Sequence, residues 1–312
     1  MIKLKPPQQL AVIALGGAAC LTSLVTSPVA LLLGAAIALA AGNPEEEKTK
    51  RFSKLFLSIA VVGLGAGMDL NVIAKVGAAG VGYTFIGLAL TMAAGFLLAR
   101  LFKTERDTGI LITVGTAICG GSAIAAVAPA IDAKAKSISV AMGTVFLLNA
   151  FALIAFPFIG HLLQMTEHQF GLWAALAIHD TSSVVGATMQ YGAEALQTGT
   201  TVKLARALWI LPVSLLAGYI FAGKGKRKFP WFILGFILMA AIFSALPHLH
   251  FVAEIIVAFS KRLLVVTLFL IGLSLTRETL KAAGAGAFLL GVCLWVLSAS
   301  GSLAAILLGY IH

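Results

Sequence analysis

Charge is scarce in this chain. Asp, Glu, Lys and Arg make up 11% of its 312 residues, against about 25% in a typical soluble domain. The deficit excludes an ordinary water-soluble fold. Acids are the scarcer sign, 12 Asp and Glu against 22 Lys and Arg. No paired acidic motif, no His-Glu-x-x-His and no serine elbow occurs, so the sequence is not expected to be an enzyme and implies no metal or cofactor. Cysteine is equally sparse. Cys20, Cys119 and Cys293 stand in apolar segments at unrelated spacings, which excludes a disulfide framework and a cysteine metal site. Low-complexity linkers are lacking too, so residues 1–312 read as a single transmembrane domain. No cleavable signal is expected, because the apolar run after Met1-Ile2-Lys3-Leu4-Lys5 continues into a second segment without a small-residue cleavage site. A net charge of +10 would suit nucleic acid, but no soluble basic domain exists to carry it.

What the chain has in abundance is hydrocarbon: 60% hydrophobic residues and a mean hydropathy of +1.02. Long apolar runs, rather than ten-residue alternations, predict an all-α integral membrane protein and not a β-barrel. Eleven segments stand out, at 10–26, 28–41, 53–69, 77–99, 109–130, 137–159, 170–190, 204–222, 230–246, 262–275 and 283–311. The second is short for a span. Polar turns are expected at 43–48 and 224–230. With the N-terminus inside, fifteen basic residues, among them Lys224, Lys226, Arg227, Lys228, Arg277 and Lys281, fall on the cytoplasmic side and seven on the other, a positive-inside bias.

The fifth segment carries Gly115-Thr116-Ala117-Ile118-Cys119-Gly120-Gly121-Ser122-Ala123-Ile124. Paired glycines weaken a helix by about 1 kcal/mol each. Two readings fit. Either the helix is broken beside a wet cavity, freeing N–H groups for an anion, or the small residues let two helices pack closely. The seventh segment holds His179-Asp180-Thr181-Ser182-Ser183. An ionisable pair at membrane depth is a functional candidate by default; the bland alternative is a hydrogen bond tying helices together. The hydroxyls of Thr181, Ser182 and Ser183 could cap a half-helix or donate to an oxyanion. Lys203 and Arg206, three apart, begin the eighth segment on one helix face. They either snorkel to the interface or point inward, where a guanidinium can grip an oxyanion. Asn149 reads as interhelical glue, Lys261-Arg262 as interfacial anchors, Asp69 as a solvated edge residue, and Cys119 as a small buried packer.

Two internal similarities are present. Phe52-Ser53-Lys54 matches Phe259-Ser260-Lys261, Gly65 matches Gly272, and Gly77-Ala78 matches Gly284-Ala285, all at one offset; the topology gives 52–80 and 259–287 opposite orientations, a weak inverted repeat. A second match pairs Ala117-Ile118 with Ala177-Ile178 and Ser122 with Ser182, but the span count makes those two copies parallel.

The Thr-Ala-Ile-Cys-Gly-Gly-Ser-Ala-Ile-Ala run, His179-Asp180-Thr181-Ser182-Ser183-Val184-Val185-Gly186 and Lys203-Leu204-Ala205-Arg206 with Pro212 together resemble the YeiH-type sulfate exporter family, over nearly the whole chain. The resemblance implies a multi-pass protein of the bacterial inner membrane. It implies the inverted-repeat fold shared by cation/proton antiporters and bile-acid transporters, about 10–11 transmembrane helices arranged as core and panel domains with two broken, crossing helices. It implies a secondary transporter exporting sulfate or a related sulfur oxyanion. The family's matches fall on Cys119, Gly120, Gly121, Ser122, Thr181, Ser182, Ser183, Lys203 and Arg206, the expected substrate-binding set, with His179 and Asp180 as the expected proton or coupling residues. A cation/proton antiporter using Asp180 and an organic-anion symporter of the same fold are the alternatives. The expected partners are a small inorganic or organic anion, membrane lipid and a coupling H+ or Na+, with a homodimer as candidate assembly and no nucleic acid.

Overall fold

The computed structural model describes residues 6–22, 24–221, 231–275 and 285–311. All regular structure among them is helical. In order these are α1 (Pro6–Ala19), α2 (Ser27–Ala41), α3 (Glu46–Leu64), α4 (Leu70–Leu101), α5 (Arg106–Ala117), α6 (Gly121–Val127), α7 (Ala135–Leu162), α8 (Glu167–Ala177), α9 (Thr181–Tyr191), α10 (Ala193–Ala207), α11 (Ile210–Phe221), α12 (Trp231–Ala245), α13 (His250–Leu273) and α14 (Ala285–Leu307). The basic turn at 224–228, together with Arg277, Lys281 and Gly284, lies outside the described residues.

Five stretches are long and apolar enough to cross a membrane: Val81–Leu101, Lys136–Leu162, Ala193–Ile220, His250–Leu273 and Ala285–Leu307. Large apolar side chains stay exposed on them, such as Leu97, Phe158, Phe251 and Val296, as lipid contact requires and water would penalise. The other apolar segments form shorter or interrupted helices.

Several helices depart from the boundaries expected from hydropathy. The turn at 43–48 ends early, because α3 already starts at Glu46; Glu46 and Glu47 in its first turn suit the positive helix end. Helix α13 begins at His250 rather than 262, so Lys261 and Arg262 sit within a helix and not at its start. Arg262 snorkels, donating from Nη1 to the Thr22 carbonyl at 3.0 Å. The largest correction concerns 193–203, left between segments by hydropathy. It forms α10, and Lys203 and Arg206 therefore close a helix instead of opening one. Close packing explains it: a Cβ on Gly171 of α8 would meet the Ala195 carbonyl at 2.8 Å, so small residues on α10 bring the two backbones together without bulky hydrophobics.

The chain forms two compact units, interleaved in sequence: residues 1–74 with 230–278, and residues 75–229 with 279–312. In the first, α13 packs on both α2 and α3, and α12 on α3. Helices α2 and α13 touch backbone to backbone. A Cβ on Gly34 would collide with the Phe269 carbonyl, and one on Gly272 with the Leu31 carbonyl and the Ala35 nitrogen. The sequence-matched segments around Ser53 and Ser260 lie in α3 and α13, and both serines are buried.

The second unit contains both interrupted segments, α5–α6 and α8–α9, and each turns back at its interruption. Lys134, after α6, bonds Glu105 and Asp107 at the start of α5, and the Glu194 N–H, after α9, donates to Glu167 at the start of α8. The expected spans 109–130 and 170–190 are therefore corrected to helical hairpins, with α7, α10 and α14 packed on them. Phe156 of α7 stacks on Trp173 of α8 at 4.2 Å, and the Trp173 indole donates to the Ala299 carbonyl of α14 at 2.9 Å. An aromatic that buries its ring and still satisfies its N–H anchors three helices.

Candidate functional site

Each interruption begins as an ordinary helix end, with its last carbonyls unpaired. In the first, Ile118 N–H donates to Val114 and Gly120 N–H to Gly115 at 2.8 Å. The carbonyls of Thr116, Ala117 and Ile118 are left over. The turn then passes through Gly120 at φ +62, ψ −126, a conformation essentially confined to glycine, before α6 begins. Cys119 is buried and free, as a packer should be.

In the second interruption, Ile178 N–H donates to Ala174 at 3.0 Å, and the chain stays extended through Ile178 and Asp180. Asp180 caps α9: its carboxylate accepts from Ser183 N–H at 3.1 Å and from the hydroxyls of Ser182 and Ser183. A carboxylate at a helix N-terminus is favoured by the dipole. The hydroxyls of Ser182 and Ser183, expected among the solute-binding groups, here face Asp180. Thr181 is buried at the first position of α9.

The leftover carbonyls of both breaks are met by the same two side chains. Lys203 and Arg206, 0% and 2% exposed, reach over from α10. Arg206 donates from Nε to Ala117 at 2.9 Å and from Nη2 to Thr116 at 3.1 Å, and from Nη1 to Ala175 at 3.3 Å and to Leu176. Lys203 donates to Ile178 at 2.6 Å, Ala175 at 3.3 Å and Ile118 at 3.4 Å. Three carbonyls match the three protons of an ammonium group. The pair points inward, and its donors serve two helix C-termini, where cations are electrostatically favoured.

The breaks also touch. A Cβ on Gly120 would come within 3.0 Å of the His179 carbonyl and 3.2 Å of Val145 Cγ1. Gly121 faces Phe146 and Met142, also on α7. One turn beyond Val145, Asn149 Oδ1 accepts the His179 backbone N–H at 3.0 Å. One face of α7 thus lines both interruptions. Ser122 is exposed and Asp180 half-buried, so these two residues stay outside the buried cluster.

Among the described residues, several buried polar atoms near the breaks have no hydrogen-bond partner: both ring nitrogens of His179, Asn149 Nδ2, and the hydroxyls of Thr116, Thr200 and Thr201. Sequence reading missed the carbonyl-sealing role of Lys203 and Arg206, whereas Asn149, expected as glue, does tie α7 to the second break. The available signal was the break itself: interrupting a helix leaves carbonyls that only buried donors can satisfy.

Two interrupted helices meeting inside a helical bundle, with cations at their carbonyl ends, define a multi-pass helical membrane protein built around a buried polar centre. The chain belongs to the family described as Conserved hypothetical protein 698, whose model matches residues 9–291; this is the YeiH-type group. It is 58% identical over 300 residues to a UPF0324 membrane protein of Bdellovibrio bacteriovorus, covering 94% of this chain and 92% of the relative. A UPF0324 membrane protein of Geobacter sulfurreducens is 48% identical over 290 residues, 93% of each chain. One from Bacteroides thetaiotaomicron is 48% identical over 283 residues, 90% of this chain and 86% of the relative. No solved structure matches the chain.

Proposed function

We propose that the protein is a secondary active transporter, and not an enzyme, that exports a small anion such as sulfate or a related sulfur oxyanion across the bacterial inner membrane by alternating access. The observation that carries this reading is the pair of touching helix breaks sealed by two buried cations. Arg206, with Lys203 beside it, gathers basic groups between the two breaks, while Asp180 stays outside the buried cluster. Their carbonyl partners share the positive charge without cancelling it. A centre with a net positive balance in a low-dielectric interior attracts an anion, and interrupted helices are how secondary transporters build such centres.

A second reading, a cation/proton antiporter, is favoured by one observation: Asp180 is a half-buried carboxylate at the crossing. Both are tested in proteoliposomes with sulfate, sulfite, thiosulfate, taurine and dicarboxylates, with and without Na+. Saturable oxyanion exchange independent of Na+ is expected. Asp180→Asn separates the readings, because asparagine caps a helix about as well as aspartate. The variant is expected to fold and to keep anion exchange. Abolished Na+-dependent proton movement, with no anion exchange in the wild type, would establish the antiporter instead.

A further inference from the structure

Lys203 gives its donors to three carbonyls, and Arg206 gives four of its five N–H groups to four, so a solute needs other groups to touch. The buried side chains that still have hydrogen-bonding capacity cluster where α7 meets the second break. Asn149 is 1% exposed and His179 0%. The His179 backbone N–H donates to Asn149 Oδ1 at 3.0 Å, which fixes the amide orientation: the oxygen faces the backbone, and the NH2 group turns away with both protons unused. Neither nitrogen of the His179 ring has a partner among the described residues. Thr200 and Thr201, one turn ahead of Lys203 on α10, add two buried hydroxyls likewise unbonded, although other buried hydroxyls, such as those of Thr188 and Thr267, bond back to their own helix.

An unpaired buried polar group is costly and rare. Asn149 and His179 carry three unpaired side-chain nitrogens at the second break, where Gly120 brings the first break against the His179 carbonyl. Donors of this kind are satisfied by a solute that carries oxygen acceptors.

We propose that Asn149 and His179 are the residues that contact the transported oxyanion, whereas Lys203 and Arg206 position the breaks and act on the solute through their charge alone. This rests on the anion-transporter reading above and adds to it the direct ligands and their chemistry. Asn149 offers two N–H donors, His179 a ring donor, and the ligand class is a compact anion with several oxygens, in preference to a halide with no directional acceptors or an alkali cation with none.

The decisive variant is Asn149→Asp. It retains an oxygen for the His179 backbone N–H and exchanges the NH2 for a second carboxylate oxygen. If Asn149 only ties α7 to the break, exchange is unaffected. If it touches the anion, two donors become a repelling acceptor. With radiolabelled sulfate and, separately, sulfite in proteoliposomes, the half-saturation concentration is expected to rise at least about tenfold, the scale of a lost hydrogen bond to a charged partner, and the unfolding temperature to fall because the new carboxyl is buried. An unchanged half-saturation concentration overturns the proposal. A second variant, His179→Phe, fills the same space, keeps the backbone N–H on Asn149 and deletes the two unpaired nitrogens. It is expected to unfold at or above the wild-type temperature and to lose sulfate exchange; full exchange in it also overturns the proposal. Should wild-type protein exchange neither anion, the transporter reading itself fails and takes this inference with it, whereas wild-type exchange with indifferent variants sinks the inference alone.

Discussion

Replacing Arg206 with methionine tests the sealing of the breaks most directly. The substitution keeps an apolar side chain of moderate length and removes hydrogen bonds to four carbonyls. Two of them retain another donor: Ala175 O keeps Lys203, and Leu176 O keeps the Ser298 hydroxyl at 3.4 Å. Thr116 O and Ala117 O lose the Arg206 donor, with no other side-chain donor shown among the described residues. Each buried acceptor left bare costs about 1–3 kcal/mol. Relief from burying a guanidinium offsets part of this, and breaking a buried charged network typically costs about 3–5 kcal/mol. A comparable loss is expected here, read as a fall of about 10 °C in unfolding temperature in detergent. Arg206→Lys, a point charge unable to reproduce the planar fork, should lose about half as much. Arg206→Met with wild-type thermal stability and abolished sulfate exchange would refute the reasoning and return the guanidinium to the solute.

Gly120→Ala forces a Cβ into the φ +62, ψ −126 conformation and against the His179 carbonyl; strain of about 1–3 kcal/mol is expected to lower the unfolding temperature and displace the second break, checked by unfolding and sulfate exchange together. Outside the membrane, the Glu105 carboxylate accepts from Lys134 at 3.1 Å and from Ser137 at 3.2 Å, and the Lys134 bond holds it below its ordinary value of 4.5. Its contribution to stability is present above that value and fades as pH falls through the lowered one. Glu105→Gln should therefore alter the unfolding temperature slightly near neutrality, since both side chains are largely exposed, and should flatten its acid dependence; thermal scans across pH measure both.

The sites where sequence reading succeeded are those where local chemistry dictates the answer. Gly120-Gly121 cannot sustain a membrane helix and does not. A capped half-helix was expected after His179, from a hydroxyl of Thr181, Ser182 or Ser183; the cap is there, but Asp180 supplies it. Helix α10 was illegible because Ala193–Ala207 has little hydrophobic contrast; it is held by close backbone approach to α8, which hydropathy does not register. The partners of Arg206 were invisible for a related reason. They are backbone carbonyls, identical in every residue, at separations of 30, 31, 89 and 90 positions.

What the sequence alone determined is the solvent and the interruptions: abundant hydrocarbon selects lipid, and glycine pairs with buried ionisable residues decide where helices must stop. What only the tertiary structure decided is which groups answer each other. Whether a buried cation faces a solute, an acid or a carbonyl depends on which helix ends are brought within about 3 Å of it. That distance is set by packing between segments far apart in the chain.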